Sequence, residues 1–294
     1  MPIGAFDAGK PVPSISKPLA APTAVATKPL TKPATDDLNV SAAYQAARQA
    51  PGGMTPDQKL RAEHLTSLFE NSTIDLQYAY TEALKDGRGI TAGRAGFTSG
   101  TGDMLEVIQK YTAQVPNNPL ARYLPRLNAI NAAKHGKGSL VGLEGLQAAW
   151  HQAANDPKFR AAQDAVVDEQ YYQPAMQTAD QQGLKTPLAR AVMYDTIIQH
   201  GGGDDPDGLP ALVAATDKAM GGSPAQGVNE HAWVEKFLSV RHADLAHAHD
   251  PSTRKAWAES VDRVNALGAI AQSGNWNLQG PMNVSVYGSR YTVP

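Results

Sequence analysis

Two carboxylates set in one short stretch, Glu70 and Asp86, are the residues of this chain best placed to do chemistry. The stretch from Glu70 to Asp103 reads ENSTIDLQYAYTEALKDGRGITAGRAGFTSGTGD. Two carboxyl groups flanking one bond are what hydrolysis of a glycoside needs. One stays protonated and gives its proton to the leaving oxygen, while the other stays ionised and activates water. Glu70 follows Leu60, Leu65, Leu68 and Phe69 at helical spacing, which puts it at the C-terminal end of a helix. The negative end of that helix and the apolar neighbours Leu68 and Phe69 both favour a protonated carboxyl. Asp86 has the opposite setting. It precedes Gly87-Arg88-Gly89, where accessible backbone amides and a nearby cation favour a carboxylate able to hold water. The Thr91 hydroxyl can help to position that water, and Arg88 can orient Asp86 or touch substrate. Asp103 follows Gly102 ahead of a helix, so it can cap the helix or bind a substrate amine.

These side chains need a scaffold. Thr55-Pro56-Asp57-Gln58 is a capping box with Pro at the first helical position, so folded structure is predicted to begin there. Asn71-Ser72-Thr73 interrupts the pattern, and a second helix is predicted over Ile74 to Lys85. Gly87 to Gly102 holds six glycines among Thr, Phe, Arg and Ser and reads as short strands and tight turns. Met104 to Tyr111 resumes helical periodicity, and Pro116, Pro119 and Pro125 mark a turn-rich connection. Further helices are predicted over residues 141–155, 159–182, 187–199, 208–220, 229–247 and 252–272. The helix at 187–199 has Thr186 as N-cap and Gly201 as C-cap. Residues 274–294 read as irregular, with a short strand at Val284–Tyr287. The fold class is therefore mainly α with one small β patch. The four Trp residues are scattered and read as core.

Composition narrows the function. With 26 basic and 28 acidic residues, no basic surplus marks a nucleic-acid binder. There is no Cys, hence no disulfide framework or cysteine nucleophile. No apolar run reaches the ~20 residues of a membrane span. No Gly-Lys-Ser/Thr ending follows the glycine cluster, and no base is spaced to activate Ser99 as a nucleophile. His242, His247, His249 and Asp250 do not place two His on one helix face, so neither a metal site nor a cofactor is expected. Residues 1–52 are punctuated by eight prolines and read as a disordered leader or linker, without the basic start and apolar run of a secretory signal. They hold five of the basic and three of the acidic residues, which leaves the remainder at −4.

The same motifs resemble the signature of the family 46 chitosanases. The matching elements are Glu70-Asn71-Ser72, Tyr78, Tyr80, Asp86-Gly87-Arg88-Gly89 with Thr91, and Gly96-Phe97 with Ser99-Gly100-Thr101-Gly102-Asp103. Weaker matches include Tyr123-Leu124-Pro125, Tyr194-Asp195, His200-Gly201 and Tyr287-Gly288, so the resemblance spans about residues 54–294. It implies a two-lobed, lysozyme-like catalytic domain over residues 53–294, with the cleft between the lobes. The activity implied is endo-hydrolysis of β-1,4 bonds between glucosamine units of chitosan, with inversion. Glu70 would match the acid and Asp86 the base, with Arg88 and Thr91 assisting. Ser72, Tyr80, Asp103, Asp195, His200 and Gly201 would match residues that bind sugar. The family also uses a buried ion-pair network behind its base. Arg241, Asp250 and Arg254 can be placed in it, but Ala or His stands where one of its carboxylates would fall. Between Asn71 and Tyr78 the chain is two residues shorter than the family pattern.

A polysaccharide partner, a monomeric state and an extracellular location by an unidentified export route complete the reading. A lysozyme-like hydrolase of peptidoglycan, exported as an antibacterial effector, is the alternative, and a non-catalytic sugar-binding protein is a third. The proline pattern generates one test. A chain starting near Gly53 is expected to match the full-length protein in Tm and in kcat on soluble substrate. A drop of several degrees, equivalent to ~1 kcal/mol or more, would show that the leader packs on the core.

Overall fold

The computed structural model describes residues 53–83, 87–133, 138–251 and 253–294. The expectation for residues 1–52 and the placement of Asp86 lie outside that set. The chain divides into two units. One is discontinuous, comprising residues 53–75 and Tyr171–Pro294; the other is continuous, Leu76–Gln170.

The discontinuous unit begins with α1, Pro56–Asn71. The capping box forms as predicted: Gln58 N–H donates to Thr55 Oγ1 at 3.3 Å, and Thr55 N–H to Gln58 Oε1 at 2.8 Å. Leu65, Leu68 and Phe69 turn into the core. The helix ends at Ser72, whose left-handed φ of 56° lets its N–H donate to the Leu68 carbonyl.

The continuous unit opens with a small antiparallel sheet, β1 (Thr81–Glu82), β2 (Thr91–Ala92) and β3 (Phe97–Thr98), in that spatial order. Thr91 pairs with Glu82 on one side and with Thr98 on the other. The helix predicted over Ile74–Lys85 is absent among its described residues, and Thr81–Glu82 is strand instead. Helices α2 (Asp103–Gln114), α3 (Leu124–Ala132), α4 (Leu146–Ala153) and α5 (Pro157–Val167) follow. Helix α3 occupies the stretch read as a connection, because Pro125 sits in its first turn, where a missing N–H costs nothing. Trp150 stacks edge-on against Phe159, which also meets Tyr111, and these rings form the core of this unit.

A π-helical turn, Asp168–Tyr172, joins α5 to α6, Gln173–Gln182, so the single helix predicted over 159–182 is three pieces. Then come α7 (Pro187–His200), α8 (Leu209–Met220), α9 (Glu230–Ala246), α10 (Arg254–Glu259) and α11 (Asp262–Gln272). Thr186 caps α7 and Gly201 ends it, as read from sequence. Helix α7 is buried on almost every side; α1 and α6 pack on it, and α8, α9 and α11 extend the bundle. Residues 282–293 form a hairpin, β4 (Met282–Val286) with β5 (Ser289–Val293), where only one short strand was predicted. Trp233 and Trp257 are core residues.

Gly93 has a φ of +75°, and a Cβ there would stand 2.5 Å from Gln163 Oε1 and 2.9 Å from the Trp150 ring. Gly93→Ala combines left-handed strain with overpacking, so it is expected to cost about 2–4 kcal/mol. Urea unfolding measures this, and a loss below about 0.5 kcal/mol would contradict the packing described.

Candidate active site

Glu70 sits in the last turn of α1 with its side chain 12% exposed, and its nearest charged neighbour is a guanidinium. Arg263 on α11 donates from Nη1 to Glu70 Oε1 at 2.6 Å. The same guanidinium donates to both oxygens of Asp195 on α7, at 2.7 Å from Nη2 and 3.3 Å from Nε. Arg241 on α9 approaches Asp195 Oδ2 from the other side at 2.7 Å. Its Nη2 donates to Gln199 Oε1 at 2.7 Å and its Nε to His200 Nε2 at 3.2 Å. His200 in turn places Nδ1 2.8 Å from the Asp207 carbonyl. A neutral ring with its proton on Nδ1 satisfies both contacts.

The electrostatics follow from enclosure. Burial alone would drive the Asp195 carboxyl up, but Arg263 and Arg241 outweigh it and hold it below the usual range. Burial, followed by the charge of Arg241, holds His200 well below its ordinary value and keeps it neutral. Burial also lowers Arg241. Arg263 moves upward despite its burial, because Asp195 and Glu70 both favour its charge. Glu70 is thus the partly exposed end of a buried chain of ion pairs and hydrogen bonds.

This geometry changes several sequence expectations. Asp195 and His200 were expected to touch sugar, yet they are 1% and 0% exposed and fully engaged with arginines. Gly201 is also buried, its N–H donating to the Ile197 carbonyl and its carbonyl accepting from Leu209. These three hold other groups in place. The ion pairs stand behind Glu70, and their carboxylate is Asp195. Of the residues placed in the network from sequence, Arg241 belongs to it. Arg254 instead donates to the carbonyls of Ala248 and His249.

The continuous unit carries the remaining site candidates. Asp86 lies outside the described residues, but the backbone after it is fastened. Gly138 N–H donates to the Gly87 carbonyl at 2.7 Å, and the buried Ser99 hydroxyl accepts from Ile90 N–H at 3.0 Å. Gly89 passes so close to Ser99 that a Cβ would lie 2.2 Å from its Oγ. Ser99 is therefore a structural brace. Arg88 is half-buried in this turn. Thr91 is 1% exposed, and its Oγ1 has no hydrogen-bond partner among the described residues. A buried hydroxyl in that state is suited to hold a water or a substrate group. Tyr80 donates to Glu82 Oε2 at 2.7 Å; burial and then Glu82 push its phenol upward, so it stays neutral. Asp103 takes up the capping role: Oδ1 accepts from Thr98 N–H, Thr101 Oγ1 and Met104 N–H, each at 2.8 Å. Burial pushes its carboxyl up to about 6, against the pull of those donors. Ser72 remains half-exposed beside Glu70. Tyr78, matched in the sequence motif, is a packing residue that donates to Asp164 at 2.8 Å.

Sequence reasoning missed Arg263 and Gln199. The signal for Arg263 is a charge set in an apolar stripe, since it shares a face of α11 with Leu267 and Ile270 at helical spacing.

The family model for glycosyl hydrolase family 46 matches residues 64–282. The chain belongs to that family. It is 55% identical over 232 residues to a chitosanase of Bacillus subtilis (strain 168), covering 79% of this chain and 83% of that one. Among solved structures, the native chitosanase from Bacillus subtilis MY002 is 53% identical with a TM-score of 0.74, covering 82% of this chain and 100% of that one. A Glu-to-Ala mutant chitosanase from the same source, complexed with 6 GlcN, is 52% identical, also with a TM-score of 0.74 and the same coverage. The fold is therefore that of the family 46 enzymes, mostly helical with small strand patches.

The ion-pair chain generates a stability prediction. Arg241→Met leaves Asp195 with a single cation and leaves Gln199 and His200 without their donor. The expected loss is about 3–5 kcal/mol, the usual cost of breaking a buried pair from one side. Denaturant unfolding reads it, and a loss below about 1 kcal/mol would show that Arg263 alone satisfies Asp195.

Proposed function

We propose that this chain is an endo-acting chitosanase that cleaves β-1,4 bonds between glucosamine units with inversion. The observation that carries the proposal is Glu70 at the solvent end of the Arg263–Asp195–Arg241 chain, in a sequence belonging to glycosyl hydrolase family 46. Relatives named chitosanase, and the neighbour complexed with 6 GlcN, support the substrate class.

Glu70 is the general acid. Its proton passes to the glycosidic oxygen as the bond from that oxygen to the sugar's anomeric carbon breaks. Arg263, 2.6 Å from Oε1, is already in place for the carboxylate that remains. Asp86 is the general base: it takes a proton from a water that attacks the anomeric carbon from the opposite face. The buried Thr91 hydroxyl, with no partner among the described residues, holds that water. Arg88, in the turn after Asp86, keeps the base ionised. Ser72, Tyr80 and Asp103 remain the candidates for sugar contact. No cofactor enters the reaction. A polymeric substrate places the work outside the cell, and both carboxylates come from one chain, so a monomer suffices. Among the described residues, no helix is long and apolar enough to cross a membrane.

Glu70→Gln keeps volume and hydrogen bonding to Arg263 but removes the proton. It is expected to lower kcat by about 10²–10⁴-fold with an unchanged Tm, and retention of more than about a tenth of the wild-type rate would remove Glu70 from the acid role. The substrate class is tested with chitosan of low acetylation, highly acetylated chitin oligomers and purified peptidoglycan at equal enzyme concentration. Fastest turnover is expected on the least acetylated polymer, with the first product inverted by proton NMR. Rapid cleavage of peptidoglycan with little action on chitosan would overturn the substrate reading.

A further inference from the structure

A second cluster of carboxylates lies in the discontinuous unit, on groups that the reaction above does not use. Asp207 ends the loop that leaves α7, Asp244 is in the last turn of α9, and His249 follows that helix. One carboxylate oxygen from each aspartate and one ring nitrogen of His249 lie within 4.8 Å of one another. Asp207 is buried, and both its oxygens accept from His249 N–H at 3.0 Å, with Asp250 N–H at 3.1 Å from Oδ2. His249 Nδ1 stands 2.5 Å from Asp207 Oδ1, while the imidazole as a whole is 67% exposed.

Asp244 is the unexplained group. Its side chain is 8% exposed, and its buried Oδ2 accepts no hydrogen bond from any described residue. Asp205, on the same loop as Asp207, has a buried Oδ2 in the same condition. No Lys or Arg among the described residues forms an ion pair with any of the three aspartates; the pairs recorded for Asp207 and Asp244 are with His249 and His200. A buried carboxylate with no donor is strongly disfavoured. The position of Asp244 deepens the problem, because the C-terminal end of a helix already carries negative potential. Burial and the neighbouring Asp207 push the Asp244 carboxyl up to about 7, so the corner is balanced either by a proton shared with Asp207 or by a cation from outside the chain.

We propose that Asp207, Asp244 and His249 bind a first-row divalent cation of the Zn²⁺ or Mn²⁺ type. Two carboxylates and one imidazole form a mixed oxygen and nitrogen donor set suited to these ions. They fall short of the six to eight oxygens that Ca²⁺ takes. The exposed ring of His249 gives the ion a route from solvent, and Asp205 adds negative potential beside it. The cation ties the loop after α7 to the end of α9. That loop also presents the Asp207 carbonyl to His200, the outermost member of the chain that ends at Glu70. The site is therefore a clamp on the segment that supports His200 and Arg241.

The test uses the full chain, treated with EDTA, dialysed and titrated with ZnCl₂ or MnCl₂ in a calorimeter. One cation per chain is expected, with a Kd of about 10 μM or below for the better ion. Saturation is expected to raise Tm by several degrees, as any ligand exclusive to the folded state does. Asp244→Asn and His249→Ala are each expected to weaken binding about tenfold or more. His249→Ala alters an exposed ring, so it remains informative if Asp244→Asn fails to fold, and its chitosan-cleaving rate in EDTA is expected to equal wild type. No heat and no Tm shift up to about 1 mM of either ion would overturn the proposal. So would binding that neither substitution weakens, which would place the ion on other histidines.

Discussion

Arg263 donates to Glu70 and Asp195 from the inward, mostly apolar face of its helix, and this shared guanidinium constrains everything packed around it. A cation in a dry interior is tolerated only when its charge and its donors are matched. Asp195 supplies most of the match, but a single carboxylate facing Arg241 as well must serve two cations. Gln199 and the neutral His200 absorb the remaining donors of Arg241. Helices α1, α7, α9 and α11 are therefore tied together by one set of ion pairs and hydrogen bonds. The same arrangement fixes a carboxyl at the end of α1 and leaves it partly open to solvent.

The two units hold their candidate residues by different means. The discontinuous unit uses full charges buried at short range. The continuous unit uses glycines, hydroxyls and backbone amides: Gly89 allows close approach to Ser99, Ser99 braces Ile90, and Asp103 gathers the donors of its own loop.

Much of this was legible in the sequence wherever the signal is local. The capping box at Thr55 and the Thr186–Gly201 bracket of α7 sit within a few residues of the ends they define. The placement of Glu70 at the end of its helix is equally local. The misreadings share a cause: spacing does not report what lies across the core. Ile74–Lys85 has acceptable helical composition, but Thr81 and Glu82 find partners on β2 only once the chain has folded back. Asp195 and His200 looked like sugar contacts because a motif gives residue type without depth. Their depth was nevertheless encoded. Asp195 lies in a helix of almost wholly buried residues, Arg241 continues the stripe of Val234, Phe237 and Leu238, and Arg263 shares a face with Leu267 and Ile270. Three charges on three apolar stripes are a sequence signature of a buried network.

Glu70 and its guanidinium partner are 193 residues apart in the chain. A contact of that span closes late, because the loop entropy must be met before the contact repays it. The continuous unit, built from one uninterrupted segment, has no contact of that span among its described residues. Glu70, by contrast, acquires its partner only when the C-terminal helices arrive. A nascent or truncated chain therefore carries Glu70 without the charge that orients it.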